Sequence, residues 1–192
     1  MSLSKTGVDI VLVHYPVINK IGETIGSAVT NLDLHDIARA AKTFGVDNYY
    51  IVTPYTDQQG LVAEILEHWN SGHGSVYNPA RKEALELVKV ADSLETVITR
   101  ITDRQGKKPL LLTTSAQRQN KSLSYQEVRG RIKEGEAMLL LFGTAHGMAP
   151  QVMDMADYTL PPVGGNTGYN HLSVRSAVSI ILDRLLGNRE EN

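Results

Sequence analysis

Cysteine and long apolar segments are the features that this 192-residue sequence lacks most clearly. Without cysteine the chain has no disulfide, no thiolate metal ligand and no cysteine nucleophile, and it suits a reducing compartment. No segment stays apolar for the length of a bilayer, and the first apolar run carries Asp9 and follows a single lysine, unlike a secretion signal. We therefore expect a cytoplasmic protein without membrane association.

An excess of charge of either sign is also missing. The formal net charge at pH 7 is -2, which argues against a generally basic nucleic-acid binder. Any RNA contact must therefore come from a local basic patch. The length suits one α/β domain with its own core. We expect a single domain over residues 1–187 and a loose tail over residues 188–192.

Common nucleotide and metal motifs are absent as well. The sequence has no Gly-x-x-x-x-Gly-Lys-Ser/Thr phosphate loop, and the first apolar run leads into His14, Tyr15 and Pro16 instead of a Gly-x-Gly-x-x-Gly turn. These absences argue against phosphate-loop NTPases and ordinary dinucleotide-binding enzymes. None of the 6 histidines has the His-Glu-x-x-His spacing of a zinc site, and we expect no bound metal.

What the sequence does contain is an alternation of short apolar runs with amphipathic segments. This pattern is typical of an α/β fold with a mostly parallel sheet and helices on both faces. The apolar runs predict strands at residues 10–13, 49–52, 87–90, 110–113, 138–142 and 158–160. Asn78 before Pro79 and the capping-box spacing of Ser124 and Glu127 mark two helix starts.

Apolar stripes at helical spacing predict three further helices. The first covers residues 34–44 and ends at Gly45, and the second covers residues 62–69. The last covers residues 174–185, and we expect Gly187 to end it in the left-handed conformation.

Three loops that follow strands in the second half of the chain are candidates for a ligand site. They cover residues 113–118, 143–147 and 160–171. In open α/β sheets, ligands bind at the carboxyl ends of the strands. Gly143 and Gly147, at the two ends of the second loop, would let a ligand approach the backbone closely. We therefore expect a ligand held mainly by loop backbone.

Three segments resemble the motifs of the SPOUT RNA methyltransferases. Residues 30–46, in which a helix carrying Arg39 ends at Gly45, resemble the first motif, residues 138–147 the second and residues 160–178 the third. The pattern is similar to bacterial predicted RNA methyltransferases related to the tRNA (guanine-N1)-methyltransferases. The resemblance implies a SPOUT fold with a deep C-terminal trefoil knot. It also implies a homodimer that methylates tRNA or rRNA with S-adenosyl-L-methionine (SAM) and releases S-adenosyl-L-homocysteine (SAH).

The resemblance assigns the cofactor contacts to the three loops. The expected contact residues are Thr113, Thr114, Ser115, Phe142, Gly143, Thr144, Gly147, Leu160, Pro161, Val163, Gly165, Asn170, His171 and Leu172.

The resemblance also implies catalytic and RNA-binding residues. Arg39, His171 and Ser173 are the candidate catalytic residues, and Arg39, Arg118 and Lys121 are the candidate RNA contacts. Arg39 would clamp a phosphate and orient the target nucleotide, or it is an exposed residue in a surface ion pair. His171 either accepts a proton or only packs beside the cofactor.

The sequence departs from the better-known ribose methyltransferases of this class at three places. Asp33 replaces the asparagine of the first motif, residues 143–147 contain no acidic residue, and His171 replaces the asparagine of the third motif, whereas Ser173 matches. The target atom, a ribose oxygen or a base nitrogen, therefore stays open. Two other hypotheses are a non-catalytic RNA-binding or regulatory module on the same fold and an α/β enzyme that uses another nucleotide.

Overall fold

The computed structural model describes residues 6–71, 77–117 and 119–188. Arg118 and tail residues 189–192, on which two of the expectations above depend, lie outside the described residues.

Within these ranges, six parallel strands form the central sheet, in the order β5-β4-β1-β7-β6-β8. A short antiparallel hairpin, β2-β3, lies outside it. In chain order the strands are β1 (Val8–Val13), β2 (Val17–Ile18), β3 (Thr24–Ile25), β4 (Tyr49–Val52), β5 (Val88–Ala91), β6 (Leu110–Thr113), β7 (Met138–Gly143) and β8 (Tyr158–Thr159).

The helices of the described chain connect these strands. They are α1 (Asn31–Thr43), α2 (Thr56–Asn70), α3 (Pro79–Leu85), α4 (Leu94–Gln105), α5 (Tyr125–Lys133), α6 (Pro150–Met155) and α7 (Val174–Leu186).

Two apolar layers hold the helices against the sheet, because successive residues of a strand point to opposite faces. Ile10 and Leu12 of β1 face the larger layer, to which α1, α2, α3, α5 and α7 contribute. Val11 and Val13 face the smaller layer, which contains residues of α4 and α6. The predicted α/β class, with helices on both faces of a parallel sheet, is confirmed.

The order of the strands explains where a ligand can bind. From β1 the chain proceeds through β4 and β5 toward one side of the sheet, and β7, β6 and β8 occupy the other side. The carboxyl ends of β1 and β7, which pair from Val8 with Met138 to Val13 with Gly143, therefore lie at the switch point of the sheet. Loops diverge there, which leaves room for a ligand.

Gly187 differs from its prediction. It ends α7 with φ -64° and ψ 145°, an extended conformation and not the left-handed one. The glycine is needed for space instead, because a Cβ at this position would lie 2.5 Å from the backbone oxygen of Asp183, which accepts the Gly187 N–H.

The amphipathic pattern left two helices and the hairpin unpredicted. α4 has Ser93 as its N-cap and Gly106 in the left-handed conformation at its C-cap, so the sequence did contain capping signals for it. α6 has only six residues and no side-chain cap, and each hairpin strand has two residues. Elements this short show no readable periodicity. Over the described ranges, no helix combines the length and apolar character needed to cross a membrane.

Candidate functional site

A cavity of ≈ 860 Å³ opens at the carboxyl edge of the sheet, where the loops after β6, β7 and β8 meet the segment between β3 and α1. This volume lies within the range of small-molecule and cofactor sites. Eleven of the residues expected to contact the cofactor line it, namely Thr114, Ser115, Phe142, Gly143, Thr144, Gly147, Pro161, Val163, Asn170, His171 and Leu172.

The other three expected cofactor residues do not line the cavity. Thr113 is fully buried, and its hydroxyl lies 2.7 Å from that of Thr159. Leu160 belongs to the apolar core, and its N–H donates to the Thr113 carbonyl at 2.9 Å. Gly165 is exposed. Thr113 and Leu160 thus support the floor of the cavity through the pairing of β6 with β8.

The loop after β7 has an unusual backbone. Ala145 is a non-glycine residue with positive φ, 53°, and Gly147 has φ 121°. The loop is tied to the hairpin, because His146 N–H donates to the Ile18 carbonyl at 3.1 Å and Ile18 N–H donates to the Gly147 carbonyl at 2.9 Å. Gly143 leaves no room for a side chain, since a Cβ would lie 2.8 Å from Cγ of Met148. The loop conformation is therefore closely specified.

A chain of hydrogen bonds stands behind one wall of the cavity. Thr144 Oγ1 donates to the Val13 carbonyl at 3.0 Å, so its single proton is used. The Ser27 hydroxyl is in contact with Thr144 Oγ1 and also lies 3.4 Å from the His14 carbonyl. His14 Nδ1 lies 3.0 Å from Ser27 Oγ and completes the chain.

His14 lies fully buried behind this wall. Burial lowers the pKa of its imidazole below the ordinary value of 6.5, and the Asp33 carboxylate opposes the shift. Its Nε2 is buried without a hydrogen-bond partner in the described structure. Burial therefore favours the neutral form of His14, which supports Ser27 and Thr144 through the Nδ1 contact.

Asp33 and Arg175 join α1 to α7 beside the cavity. Asp33 lines the cavity, is almost fully buried and accepts the hydroxyl proton of Thr30 at 2.6 Å. Arg175 Nη1 donates to Asp33 at 2.8 Å, and its Nε lies 3.4 Å from Asp36. The aspartate that departs from the ribose methyltransferases is thus paired with an arginine of the third motif.

The third loop brings its polar residues to the mouth of the cavity. Asn170 Nδ2 donates to the Ala116 carbonyl at 2.9 Å, which joins the first and third loops. His171 lies 6.3 Å from Tyr169 between ring centroids. Ser173 lines the cavity and also caps α7 by accepting from Ser176 N–H at 3.2 Å. The Ser173 hydroxyl therefore has a structural role at the start of the helix.

The described candidate RNA-contact residues, Arg39 and Lys121, do not line the cavity. Arg39 is exposed on α1 and is not among the residues that line the cavity. Lys121 is exposed too, and its carbonyl accepts from Thr159 N–H at 2.7 Å. Arg118 lies outside the described residues. Within the ranges given above, no group of three or more His, Asp or Glu side chains is arranged to hold a metal ion.

Sequence reasoning missed the wall that comes from the first half of the chain. Ile18, Ser27 and Ala28 line the cavity although no motif of the sequence includes them. Thr30 and Asp33 also line it and belong to the first motif, but they were not among the expected cofactor contacts. Thr30 did carry a signal, because it is the N-cap of α1. The contact between Ser27 and Thr144 joins residues 117 positions apart, which no local pattern can indicate.

The lining suits a cofactor with an apolar ring and several polar groups. Phe142, Pro161, Val163 and Leu172 supply apolar surface, and the loops between them supply backbone and hydroxyl groups. A few placed polar groups in an apolar cleft are the usual composition of such sites. The residues present therefore fit SAM in size and chemistry.

Comparisons with known proteins agree with this description. A model of a family described as SAM-dependent RNA methyltransferase matches residues 7–187. The chain is 46% identical over 177 residues to a tRNA (guanine-N(1)-)-methyltransferase of Oleidesulfovibrio alaskensis, covering 92% of this chain and 41% of that protein. It is 42% identical to an uncharacterized protein of Aquifex aeolicus, covering 92% of this chain and 86% of the other. The chain thus spans about two fifths of the length of the tRNA methyltransferase that it matches.

Among solved structures, the SpoU methyltransferase AviRb from Streptomyces viridochromogenes in complex with AdoMet is similar, with a TM-score of 0.57 and 15% identity. The match covers 96% of this chain and 61% of that chain, and it shows the SPOUT fold. The C-terminal trefoil knot stays a prediction. The match of the family model to nearly the whole described chain places the protein plainly: it belongs to the SAM-dependent RNA methyltransferases.

Proposed function

We propose that the cavity at the carboxyl edge of the sheet is the SAM site and that the chain methylates a nucleotide of tRNA or rRNA there. The observation that carries this proposal is the convergence of three strand-end loops on one cavity of ≈ 860 Å³. The name of the relative from Oleidesulfovibrio alaskensis supports tRNA as the substrate. The lack of cysteine supports a cytoplasmic location.

In this proposal the chain acts mainly by positioning. Bound SAM supplies an electrophilic methyl group, and holding it in line with the nucleophile accounts for much of the rate. The loop of residues 143–147, fixed by Gly143 and by the Ser27 contact, orients the cofactor. Two imidazoles, those of His146 and His171, line the cavity, and we assign to His171 the proton that the nucleotide loses on methylation, because it belongs to the third motif.

We propose further that the enzyme is a homodimer in which Arg39 of one protomer serves the cavity of its partner. Arg39 is exposed and absent from the cavity of its own chain, so a second copy is the simplest way to bring it to a bound nucleotide. Leu32 on α1 and Leu172 before α7 are 62% and 44% exposed, which supports an apolar contact near these helices. Light scattering should give twice the monomer mass at micromolar concentration, and a stable monomer would contradict the composite site.

A second candidate function is an RNA-binding module without catalysis. The chain spans only 41% of the tRNA methyltransferase that it matches, and residues 143–147 contain no acidic residue. Such a module could present RNA to a catalytic domain elsewhere. It would bind RNA whether or not its cavity held a cofactor.

Titration calorimetry with SAH separates the two functions. The methyltransferase should bind SAH and should gain thermal stability with it, because a ligand of the folded state shifts unfolding by mass action. Methyl transfer from labelled SAM to RNA from cells that lack the protein should then follow. Absence of both heat and a thermal shift at millimolar SAH would reject the SAM site and leave the RNA-binding module.

A further inference from the structure

A second, smaller cavity shares a wall with the proposed SAM site. It measures ≈ 290 Å³ and is lined by Gly26, Ser27, Ala28, Tyr55, Asp57 and Gln58. Ser27 and Ala28 also line the larger cavity, so this short segment separates the two spaces. The smaller cavity lies at the carboxyl ends of β1 and β4, next to the switch point of the sheet.

Tyr55 gives this cavity an aromatic surface held in a fixed position. Its ring packs on the backbone of Gly26 so closely that a Cβ there would overlap Cε2 and Oη of the ring. Tyr15 contacts the same ring edge to face, with 5.9 Å between centroids and 75° between planes. Tyr15 is 37% exposed and Tyr55 is 45% exposed. Exposed aromatic rings that are rigidly held are suited to stacking a nucleobase.

The polar groups of the cavity form a donor and acceptor pair. Gln58 Oε1 accepts from Val29 N–H at 2.7 Å, which fixes the amide and leaves its Nε2 as a donor. Asp57 is exposed in the first turn of α2, and its carboxylate offers two acceptor oxygens. Of the four RNA bases, guanine alone presents two adjacent N–H groups, at N1 and N2, that meet both oxygens of one carboxylate. Its O6 is then available to an amide donor such as Gln58.

We propose that the smaller cavity is a nucleobase subsite that selects guanine in the RNA substrate, stacking the base on Tyr55 and reading its edge with Asp57 and Gln58. This inference rests on the proposed function, because it treats the neighbouring cavity as the SAM site. Adenine would turn its N1 lone pair toward a carboxylate oxygen, and repulsion of this kind gives selectivity against the wrong base. The subsite is specificity-determining and takes no part in moving the methyl group.

The test is an NMR titration of the protein, saturated with SAH, with 5′-guanosine monophosphate and 5′-adenosine monophosphate. SAH occupies the place of the cofactor in the larger cavity, so neither nucleotide can bind in that place. GMP should bind more tightly than AMP and should shift the ring protons of Tyr55. Tyr55→Ala should weaken GMP binding roughly tenfold or more through loss of stacking. Tyr77→Ala, which removes an 89% exposed tyrosine, is the matched control and should have no effect.

Asp57→Asn should reduce the preference for GMP over AMP about tenfold, because a charged acceptor is lost. Asp103→Asn, an exposed aspartate on α4, is its control. Gly26→Ala should displace the Tyr55 ring and weaken GMP binding. The double variant Gly26→Ala with Tyr55→Ala should regain thermal stability without regaining GMP affinity, which separates a folding defect from loss of the subsite.

The outcomes also separate this inference from the proposed function. Failure of SAH to bind would reject the SAM site, whatever GMP does. If SAH binds but GMP does not, or if GMP binds Tyr55→Ala as tightly as the original protein, the subsite is wrong and the SAM site stands. GMP that competes with SAH would place the nucleotide in the larger cavity and would likewise overturn the subsite.

Discussion

The amino and carboxyl edges of the central sheet differ in whether their polar groups are already paired within the protein. At the amino edge, Asp9 of β1 is fully buried, and both of its oxygens are engaged by side chains. Asn48 Nδ2 donates to Oδ1 at 2.8 Å, and Arg104, at the end of α4, donates to Oδ2. At the carboxyl edge the polar residues are small hydroxyls and loop backbone around an open cavity. One edge is closed by ion pairing, and the other leaves groups available to a ligand.

This difference separates stability from function along the same strands. β1 contributes Asp9 to the closed edge and leads directly to His14 behind the cavity wall. A buried charge that loses its partner destabilises the fold, whereas small polar groups at a ligand site cost little when changed. Substitutions at the amino edge should therefore act on folding, and those at the carboxyl edge should act mainly on binding and rate.

The largest expected effect is that of Asp9→Ala on stability. The change leaves Asn48 without its acceptor and Arg104 with only the more distant of its two carboxylates, Asp47 at 3.9 Å, so unfolding should become easier by about 3 kcal/mol. Urea denaturation measures this loss. Asp103→Ala, an exposed carboxylate on the same helix as Arg104, should cost less than about 0.5 kcal/mol. SAH affinity of folded Asp9→Ala should be unchanged, and a parallel loss of affinity would remove the contrast between the edges.

The second largest effect is expected for Arg39→Ala, which should lower the rate of methyl transfer and leave cofactor binding unchanged. SAH affinity should stay nearly constant, because Arg39 does not line the cavity of its own chain. Methyl transfer should fall roughly a hundredfold, the consequence of losing about 2 to 4 kcal/mol of transition-state stabilisation. Lys108→Ala, an exposed cation before β6, is the control and should retain activity. Full RNA methylation by Arg39→Ala would make this arginine an ordinary surface residue.

Mixed dimers sharpen this prediction. A dimer of one Arg39→Ala protomer and one protomer with a damaged cavity contains one complete site if Arg39 serves its partner. Co-expressed variants should then regain activity that neither homodimer has. Activity that stays absent in the mixture would mean that Arg39 acts within its own chain or not at all.

Gly143→Ala tests the rigidity of the carboxyl edge. The added Cβ would lie 2.8 Å from Cγ and 2.9 Å from N of Met148, so the loop backbone must shift. Overpacking of this size costs about 1 to 3 kcal/mol, and SAH affinity should fall about tenfold. Gly130→Ala, on α5 where a Cβ meets nothing within 4 Å, is the matched control in calorimetry. Unchanged SAH affinity in Gly143→Ala would mean that the cofactor does not depend on this loop.

The sequence predicted the buried strands and the helix caps better than the residues around the cavity. Each predicted strand exists in the sheet, because buried parallel strands are unbroken apolar runs. The capping box of Ser124 and Glu127 is present as predicted. These features depend on residues that are neighbours in the chain, so their signals are local.

The candidate site was predictable only on the side that carries motifs. The loops after β6, β7 and β8 follow strand ends, those after β7 and β8 contain glycine or proline, and most of the residues expected from the three loops line the cavity. Ser27 and Asp33 enter the site through contacts with Thr144 and Arg175, more than a hundred residues away. Arg39 shows the converse limit, because a motif match gives no information on whether a residue acts in its own chain or in the second copy of the proposed dimer.

The smallest expected effect is a pH dependence that arises from the neutral His14. Burial lowers the pKa of its imidazole from 6.5, so the unfolded chain takes up a proton at mildly acidic pH that the folded chain does not bind. Stability should therefore be unaffected above about pH 6.5 and should decrease as the pH falls toward the lowered pKa of the folded state. One proton contributes at most about 1.4 kcal/mol per pH unit.

His14→Asn isolates this contribution. The asparagine amide has both a donor and an acceptor and can still form a hydrogen bond with Ser27, but it cannot titrate. Urea denaturation between pH 7.5 and pH 5.5 should show a shallower loss of stability for the variant than for the original protein, whatever their difference at neutral pH. Burial also lowers the pKa of His35, with Arg81 acting in the same direction, so His35→Asn should remove a separate part of the slope. An identical slope in His14→Asn would mean that His14 is not held neutral behind the cavity wall.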